Sequence, residues 1–188
     1  MKNFHWPAAL AILLLAACGK REEGAVPTAA ELPAAAASAP ALAASPPMAA
    51  PMSASATLGI LNGYLAAWND HDPAKVGSFL SDDSQYFDSA FAGLQRGRQS
   101  IVDNTIGVFL RGMPDLRWET RSEPIISADG VAYEWTLTGT NTGTWGGVVA
   151  TRQKINLKGM TFMRIAQGKI TYQSVVYDSA ALNRQLGL

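Results

Sequence analysis

The chain has 188 residues, of which 48% are hydrophobic and only 16% are charged, with fifteen basic and fifteen acidic side chains. A net charge of zero provides no electrostatic footprint for nucleic acid, so we expect no nucleic-acid partner. One cysteine and two histidines exclude an internal disulfide, a zinc finger and other cysteine-rich metal sites, so we expect no metal.

The first nineteen residues have the pattern of an export signal. Lys2 precedes an apolar run at positions 8 to 17, which is too short to span a bilayer and is typical of a signal peptide. The run ends in LAACG, which resembles the bacterial lipobox. That resemblance implies cleavage after residue 17, a lipid on Cys18 and, because Gly19 is not aspartate, an outer-membrane lipoprotein facing the periplasm. The alternative is an ordinary signal peptide or a buried helix.

The next segment is poor in the side chains that build a core. Positions 25 to 56 contain fifteen alanines and six prolines, with Glu31 as the only charge. The prolines interrupt any alanine helix, and large side chains do not recur at helix or strand spacing. The composition predicts a disordered tether over residues 18–56, which connects the lipid to a folded domain at 57–188.

The domain is predicted to begin with three helices. Thr57 can cap a helix over 57–69, because apolar residues follow at three- and four-residue spacing as far as Trp68. Pro73 suits the first turn of a second helix, which runs to residue 80. A short strand is predicted at 85–88, and Gly97 opens a third helix that ends at residue 111.

Strand patterns dominate the rest of the domain. The predicted strands cover 116–127, 131–141, 155–166 and 169–178, and a last helix covers Ser179–Leu186. The second strand alternates plainly, and the last two form a hairpin across Gln167-Gly168. Helices followed by long antiparallel strands are an α+β pattern. A long twisted sheet of this kind can curl around the helices and enclose a conical pocket.

Several segments of the domain match one family in order and spacing. They are YLAAWNDHDPAKVGSFLSDD, YFDSA, GRQSIVDNTIGVFLRGMPDLRWE, GTNTGTWGG, MTFMRIAQGKI and DSAALNRQLG. Together they resemble the nuclear transport factor 2-like superfamily and, within it, the SnoaL-like polyketide cyclase or ester cyclase group. The resemblance covers most of residues 64–188. It implies a cone-shaped fold with an internal pocket, cofactor-free chemistry in the enzymatic members, and frequent dimers through the outer sheet face.

Asp178 is the leading candidate for chemistry. Strict alternation places it on the face of the last strand that carries Ile170 and Tyr172. The resemblance implies that an aspartate at this point acts as a general acid and base. A carboxylate facing an apolar cavity has a raised pKa, which suits proton transfer at neutral pH. The structural alternative is that Asp178 caps the last helix.

Asn141 lies in the GTNTG segment, where many members of the family have histidine. Asparagine cannot carry a proton at neutral pH, so Asn141 either holds a ligand oxygen or bonds the glycine-rich loop at 143–147. Asp88 either lines the pocket mouth or caps a turn. Most aromatic residues of the domain should be plain core, but four are predicted to line the pocket with Asn141: Trp68, Tyr86, Trp118 and Trp135.

Two functional hypotheses stay open. The first is a domain tethered to the outer membrane, as a monomer or a homodimer, that binds a small hydrophobic or carbonyl-bearing molecule without catalysis. The second is a cofactor-free cyclase, isomerase or lyase that uses Asp178. The asparagine at position 141 and the periplasmic address favour the first, because polyketide intermediates are usually made in the cytoplasm. A weaker third option is a protein-interaction module that uses the outer sheet face.

Overall fold

The structure is a computed structural model that describes residues 52–91 and 93–188. The predicted signal peptide, Cys18 and most of the predicted tether lie outside the described residues. No helix in the described part is long and apolar enough to span a membrane. Its helices are α1 (Ala54–Asn69), α2 (Pro73–Ser78), α3 (Arg98–Ile101), a π-helical segment (Val102–Ile106), α4 (Gly107–Gly112) and α5 (Ser179–Leu186). Its strands are β1 (Leu80–Asp88), β2 (Gln95–Arg96), β3 (Arg117–Thr120), β4 (Ile125–Ser127), β5 (Gly130–Thr140), β6 (Lys154–Ala166) and β7 (Lys169–Tyr177).

Helix α1 begins three residues before the predicted start. Ser53 is the N-cap, because its Oγ accepts a hydrogen bond from the backbone N–H of Ala56 at 3.2 Å. Thr57 is buried within the helix, so the prediction that it is the cap was wrong. A serine cap and small helix-forming alanines extend the helix into sequence assigned to the tether. The predicted apolar face is confirmed, since Leu61 and Trp68 are fully buried.

The third predicted helix is one continuous helical stretch that contains a wide turn. Elements α3, the π-helical segment and α4 follow one another without a break. Ile106 and Phe109 are buried, as predicted. The wide turn changes the helical phase, a feature that is frequent at functional sites. It carries Thr105 inward, where its Oγ1 is buried and makes no hydrogen bond with any described residue.

The strands form one mixed sheet, in the order β2-β1-β7-β6-β5-β3, with β4 also paired to β5. Neighbouring strands are antiparallel except β1 and β7, which run parallel. The α+β expectation of helices on a curved, mostly antiparallel sheet is confirmed. The single strand predicted at 116–127 was wrong, because the chain breaks into β3 and β4 around Pro124, which cannot donate a ladder hydrogen bond.

One face of the sheet packs against the helices and forms the interior. Strand β5 shows this most clearly, because Tyr133, Trp135 and Leu137 are buried while Glu134 between them is exposed. This alternation is the one that the sequence predicts. The interior of the domain is therefore built from the odd-numbered positions of β5 together with the inner sides of α1, α3 and α4.

Strand β7 contains an extra residue that changes which side chains face the interior. Two consecutive residues of β6 pair with Ile170 and Tyr172, so Thr171 is left over as a β-bulge. Ile170 is buried before the bulge, whereas Gln173 and Val175 are buried beyond it. The inward positions thus change from even to odd numbers. Every later residue of the strand faces the side opposite to the one that strict alternation predicts.

Candidate functional site

Asp178 lies at the surface, where it caps α5. Its Oδ1 accepts a hydrogen bond from the backbone N–H of Ala181 at 2.9 Å, and its Oδ2 lies 3.4 Å from Arg184. The Asp178 side chain is 62% exposed. The hydrogen bond from Ala181, with the charge of Arg184, lowers the pKa of Asp178. The predicted position on a pocket wall was therefore wrong, because the bulge at Thr171 turns this end of β7 over. The structure shows the helix-cap alternative.

Asn141 is buried, and its own loop and the end of α4 use all the hydrogen-bonding capacity of its side chain. Its Nδ2 donates to the carbonyl oxygens of Gly112 at 3.2 Å and Gly143 at 2.9 Å. Its Oδ1 accepts from the backbone N–H of Thr151 at 2.8 Å and from the Thr151 hydroxyl at 3.1 Å. Two donors and two acceptor positions are the whole capacity of an amide side chain. Contrary to the first expectation, Asn141 has no capacity left for a ligand, and it matches the loop-bonding alternative.

The four aromatic residues predicted to line the pocket are buried in the interior, where the three tryptophans pack on one another. The ring centroid of Trp118 lies 5.2 Å from that of Trp68 and 5.1 Å from that of Trp135. Tyr86 is also buried. Trp135 donates its Nε1–H to the hydroxyl oxygen of Thr161 at 2.8 Å. In contrast, the Nε1–H groups of Trp68 and Trp118 find no acceptor among the residues that the structure describes.

The tryptophans are held in place by a bracket between α1 and β3. The side chain of Asn69 accepts a hydrogen bond from the backbone N–H of Trp118 at 2.8 Å and donates to its carbonyl oxygen at 2.9 Å. Asn69 ends α1 next to Trp68, so the two indoles are fixed by adjoining backbone. This end of the aromatic wall is therefore tied to both α1 and β3.

A cluster of polar side chains also lies in the interior. The hydroxyl of Tyr64 donates to Oε1 of Gln173 at 2.9 Å, and both side chains are fully buried. The Nε2 amide of Gln173 and the hydroxyl of Tyr133 make no hydrogen bond of regular geometry within 52–91 and 93–188, and the side chain of Thr161 is the polar neighbour of the Tyr133 hydroxyl. Burial raises the pKa of Tyr64 to about 12 and moves that of Tyr133 well above its ordinary value. Both hydroxyls therefore stay protonated at neutral pH and act as donors.

Asp88 completes this cluster at the end of β1. It is 2% exposed, and its Oδ1 accepts from the backbone N–H of Ala90 at 2.8 Å. Its Oδ2 makes no hydrogen bond of regular geometry with the described residues, and the hydroxyls of Tyr86 and Tyr177 are its polar neighbours. Burial raises the pKa of Asp88, against the opposing effect of the Ala90 amide and the two tyrosines. Asp88 thus caps a turn with one oxygen and turns the other toward the interior.

A surface cavity of about 250 Å³ lies beside the Asp88 end of the interior. We call it the mouth cavity. Aromatic contacts connect its wall to the tryptophans: the ring of Phe109 lies 6.1 Å from Phe91, 5.6 Å from Trp145 and 6.4 Å from Trp68. Its walls come from the residues after β1, the glycine-rich loop and α5, and include Ala90, Phe91, Trp145, Val148, Ser179 and Asn183.

Tyr64, Tyr133 and Gln173 were not among the predicted site residues. Tyr64 and Tyr133 could have been found, because each lies on a face whose periodicity predicts burial. Gln173 could not, since the bulge that turns it inward leaves no mark in the hydrophobic pattern. In the described part of the chain, no group of three histidine, cysteine, aspartate or glutamate side chains is placed to hold a metal ion.

A helical layer on a curved mixed sheet, with aromatic and polar side chains meeting between them, defines the nuclear transport factor 2-like class of domains. A family model described as SnoaL-like polyketide cyclase matches residues 59–186. The chain therefore belongs to the SnoaL-like polyketide cyclase family. No protein with a curated functional description matches the sequence.

Solved structures share this fold at low sequence identity. The putative hydroxylase AclR from Streptomyces galilaeus is 24% identical, with a TM-score of 0.63 over 72% of this chain and 98% of that one. A putative polyketide cyclase from Xanthomonas campestris pv. campestris is 20% identical, with a TM-score of 0.60 over 70% and 97%. TerC, co-crystallised with polyporic acid, is 17% identical, with a TM-score of 0.57 over 71% and 99%.

Proposed function

We propose that this domain binds a small carbonyl-bearing molecule with an apolar or aromatic body in its interior. The observation that carries the proposal is the pair of buried donors, Nε2 of Gln173 and the hydroxyl of Tyr133, which make no hydrogen bond of regular geometry with the described residues. A buried donor without a partner costs about 1–3 kcal/mol. A ligand carbonyl oxygen would accept from both groups, and the surrounding indoles would contact its apolar body. The co-crystallisation of TerC with a small molecule agrees with this use of the fold.

Titration with an aromatic ketone tests this proposal. We choose ortho-hydroxyacetophenone and follow the tryptophan fluorescence of the full chain. Gln173→Leu removes one buried donor at similar volume and should weaken binding at least about tenfold, the factor that corresponds to 1.4 kcal/mol. The matched control, Gln153→Leu, makes the same change at an exposed position and should bind like the wild type. Equal affinity of Gln173→Leu and wild type, or no binding by the wild type, would contradict the proposal.

A second candidate function is cofactor-free proton transfer by Asp88. It is favoured by one observation: a buried carboxyl with a raised pKa, whose Oδ2 is free of regular hydrogen bonds in the described structure. Such a carboxylate can take a proton from the carbon next to a ligand carbonyl. The hydroxyl of Tyr133 and the amide of Gln173 would then stabilise the enolate oxygen. Return of the proton to another carbon gives an isomerisation. Attack of the enolate carbon on a second carbonyl carbon of the ligand, whose oxygen then takes the proton from Asp88, gives an aldol-type ring closure, with Asp88 in the role first predicted for Asp178.

Exchange of the methyl protons of ortho-hydroxyacetophenone in deuterated water isolates this step. Proton NMR should show faster exchange with the wild-type protein than in buffer. Asp88→Asn should lower the enzymatic rate by about a hundredfold or more, the usual contribution of a general base. Asp178→Asn is the matched control and should keep the wild-type rate, because Asp178 caps a helix at the surface. The assignment would be refuted if Asp178→Asn lowered the exchange rate or if Asp88→Asn left it unchanged.

We further propose that the chain is a lipoprotein anchored through Cys18 in the outer membrane and facing the periplasm. The lipobox-like LAACG sequence and the glycine at position 19 support this, and acyl chains on one residue give membrane affinity without a spanning helix. Labelling with an alkyne analogue of palmitate should mark the wild type and not Cys18→Ser. Gly19→Asp should move the protein from the outer-membrane to the inner-membrane fraction. An unlabelled wild type would refute the anchor.

We also propose that two copies associate through the outer sheet face. An apolar row crosses this face, because Ser174 pairs with both Phe87 and Phe162, and Ala132 pairs with both Phe162 and Ile125. Contiguous exposed apolar patches mark interaction sites. Native mass spectrometry from detergent should show a dimer that Phe162→Glu dissociates. The exposed members of the patch are Phe87, Ile125, Met160, Phe162 and Val176.

The control for the dimer is Val149→Glu, which introduces the same charge at an apolar residue that is 78% exposed on the glycine-rich loop. This variant should remain dimeric. A wild-type monomer, or a Phe162→Glu variant that stays dimeric, would show that the outer face is not the interface.

A further inference from the structure

The indole of Trp145 separates the mouth cavity from the interior. It lines the cavity, and its ring centroid lies 6.2 Å from that of Phe91 and 5.6 Å from that of Phe109. Phe109 in turn contacts Trp68 of the interior cluster. The same layer of side chains therefore forms the inner wall of the cavity and the outer wall of the aromatic interior.

The loop that carries Trp145 is fixed firmly at its base. The backbone N–H of Gly143 donates to the carbonyl oxygen of Gly112 at 3.0 Å, and Asn141 binds the carbonyl oxygen of Gly143. On the returning side, Asn141 accepts hydrogen bonds from the backbone N–H groups of Thr151 and Arg152. One buried asparagine thus holds both ends of the loop.

The tip of the same loop is bonded only to itself. Trp145 and Val148 exchange two backbone hydrogen bonds of 3.0 and 2.8 Å. The turn between them is made by Gly146 and Gly147, which both have positive φ. No hydrogen bond links residues 144–150 to a described residue outside that stretch. The tip is therefore held against the domain by the packing of its side chains alone.

Trp145 itself is seated without polar support. Its Nε1–H is buried and meets no acceptor in the described part of the protein. Its Cβ packs against Gly112, where an added Cβ would approach to 2.8 Å, so the glycine makes room for the closed position. An outward movement would let the indole N–H donate a hydrogen bond to water. The free energy of that bond offsets part of the free energy lost with the apolar contacts.

We propose that residues 143–150 form a gate that controls the entry of ligand to the interior. The segment moves about its base, which Asn141 holds, and carries Trp145 away from Phe109. The mouth cavity then becomes continuous with the indole cluster. A flat aromatic carbonyl compound could then pass between Phe91 and α5. This inference rests on the proposed ligand-binding function, because a gate requires a site behind it.

Fluorine NMR of the full chain labelled with 5-fluorotryptophan detects the movement without a ligand. Trp145→Phe assigns the resonance of Trp145. This resonance should show exchange broadening on the microsecond-to-millisecond timescale, whereas those of Trp118 and Trp135 should not. A Trp145 resonance as sharp as those of the interior tryptophans would overturn the gate, whatever the result of ligand titration.

Stopped-flow binding of ortho-hydroxyacetophenone tests the connection to the site. Trp145→Ala should raise the association and dissociation rate constants together by about tenfold and change Kd by less than about threefold, because a gate is a kinetic barrier on both directions. Trp145→Phe is the second variant, in case alanine at this position disturbs folding, and it should raise both rate constants by a smaller factor. Val149→Ala is the control and should leave both rates unchanged.

The outcomes separate the gate from the binding function. A change in the dissociation rate alone would make Trp145 a ligand contact and overturn the gate. Binding with unchanged rates in both Trp145 variants would overturn it while the proposed function stands. Fluorine exchange at Trp145 with no binding by the wild type would overturn the proposed function and the gate with it, since the movement would then serve no site.

Discussion

Asn141→Ala is expected to destabilise the domain substantially. The substitution removes four hydrogen bonds, one of which lies in a fully buried environment and three in partly buried ones. We assign about 1 kcal/mol to the buried bond and about half that to each of the others, which gives about 2.5 kcal/mol. For a domain of this size the loss corresponds to a fall in Tm of roughly 10 °C.

Urea-induced unfolding of the full chain, followed by tryptophan fluorescence, measures this difference. Asn156→Ala is the matched control, because Asn156 is exposed and its hydrogen bonds are made by its backbone. The control should change the free energy of unfolding by less than about 0.5 kcal/mol. If Asn141→Ala changes the free energy of unfolding as little as the control does, the hydrogen bonds of Asn141 do not stabilise the domain. A role for this amide in holding a ligand oxygen would then be the better explanation.

Asn141→Asp adds a pH-dependent test of the same geometry. A carboxylate at this position keeps the acceptor for Thr151 but turns negative charge toward the carbonyl oxygens of Gly112 and Gly143. The folded-state pKa of the new carboxyl would be raised, so the variant should be least stable at neutral pH and recover as the pH falls through that pKa. A stability deficit that is constant with pH would show that the carbonyls do not face this side chain.

Three further predictions follow from particular contacts. Gly159→Ala should destabilise by more than about 3 kcal/mol, because its Cβ would collide with the indole of Trp135. The paired change Gly59→Ala, on an exposed turn of α1 with open space around it, should stabilise by about 0.5–1 kcal/mol; equal effects in urea unfolding would refute the packing. Because burial raises the pKa of Asp88, Asp88→Asn should be more stable than the wild type at neutral pH. The difference should shrink as the pH falls through the raised folded-state pKa of Asp88 and should be gone below the unfolded-state pKa of about 3.9, and a less stable variant at neutral pH would contradict the buried charge. Because capping lowers the pKa of Asp178, Asp178→Ala should be less stable above the unfolded-state pKa and approach the wild type in acid, whereas an unchanged unfolding midpoint at neutral pH would speak against the cap.

Elements with strong local periodicity were predictable from the sequence. Helix α5 has the predicted bounds, Ser179–Leu186, and β5 buries the predicted alternate positions. Helix α1 has the predicted inner face, although its start lies earlier. These features depend on side-chain spacing within one segment, which the sequence displays directly.

Features that depend on partners distant in the sequence were not predictable. The two-residue strand β2 exists because Gln95 and Arg96 pair with β1, and the parallel pairing of β1 with β7 joins opposite ends of the domain. The break between β3 and β4 is an intermediate case. Pro124 is a local sign of a strand end, but the long run of strand-forming residues around it favoured a single strand.

The site was predicted in composition more than in geometry. Trp68, Trp118 and Trp135 are interior residues, as their spacing indicates, but the polar groups among them depend on the register of strands. Asp88 ended a predicted strand, and its two predicted roles were to line the pocket mouth or to cap a turn. Gln173 was not considered, because a polar residue in a strand is placed outside by default. Sequence patterns therefore find the interior more readily than the chemistry within it.

Thr171 has a consequence for any comparison of this chain with its relatives. Deletion of Thr171 would remove the extra residue and leave every other pair of β6 and β7 in place, so Gln173 and Val175 would still face the interior. A regular pairing that kept Thr171 would instead exchange the two sides of β7 and bring Tyr172, Ser174 and Val176 inside. A relative with the same number of residues here but without the bulge can therefore differ in its inward-facing chemistry while its letters align well. Inheritance of a role at the end of this strand has to be decided from the pairing of each residue with β6, since sequence identity at the position does not say which side of the sheet it occupies.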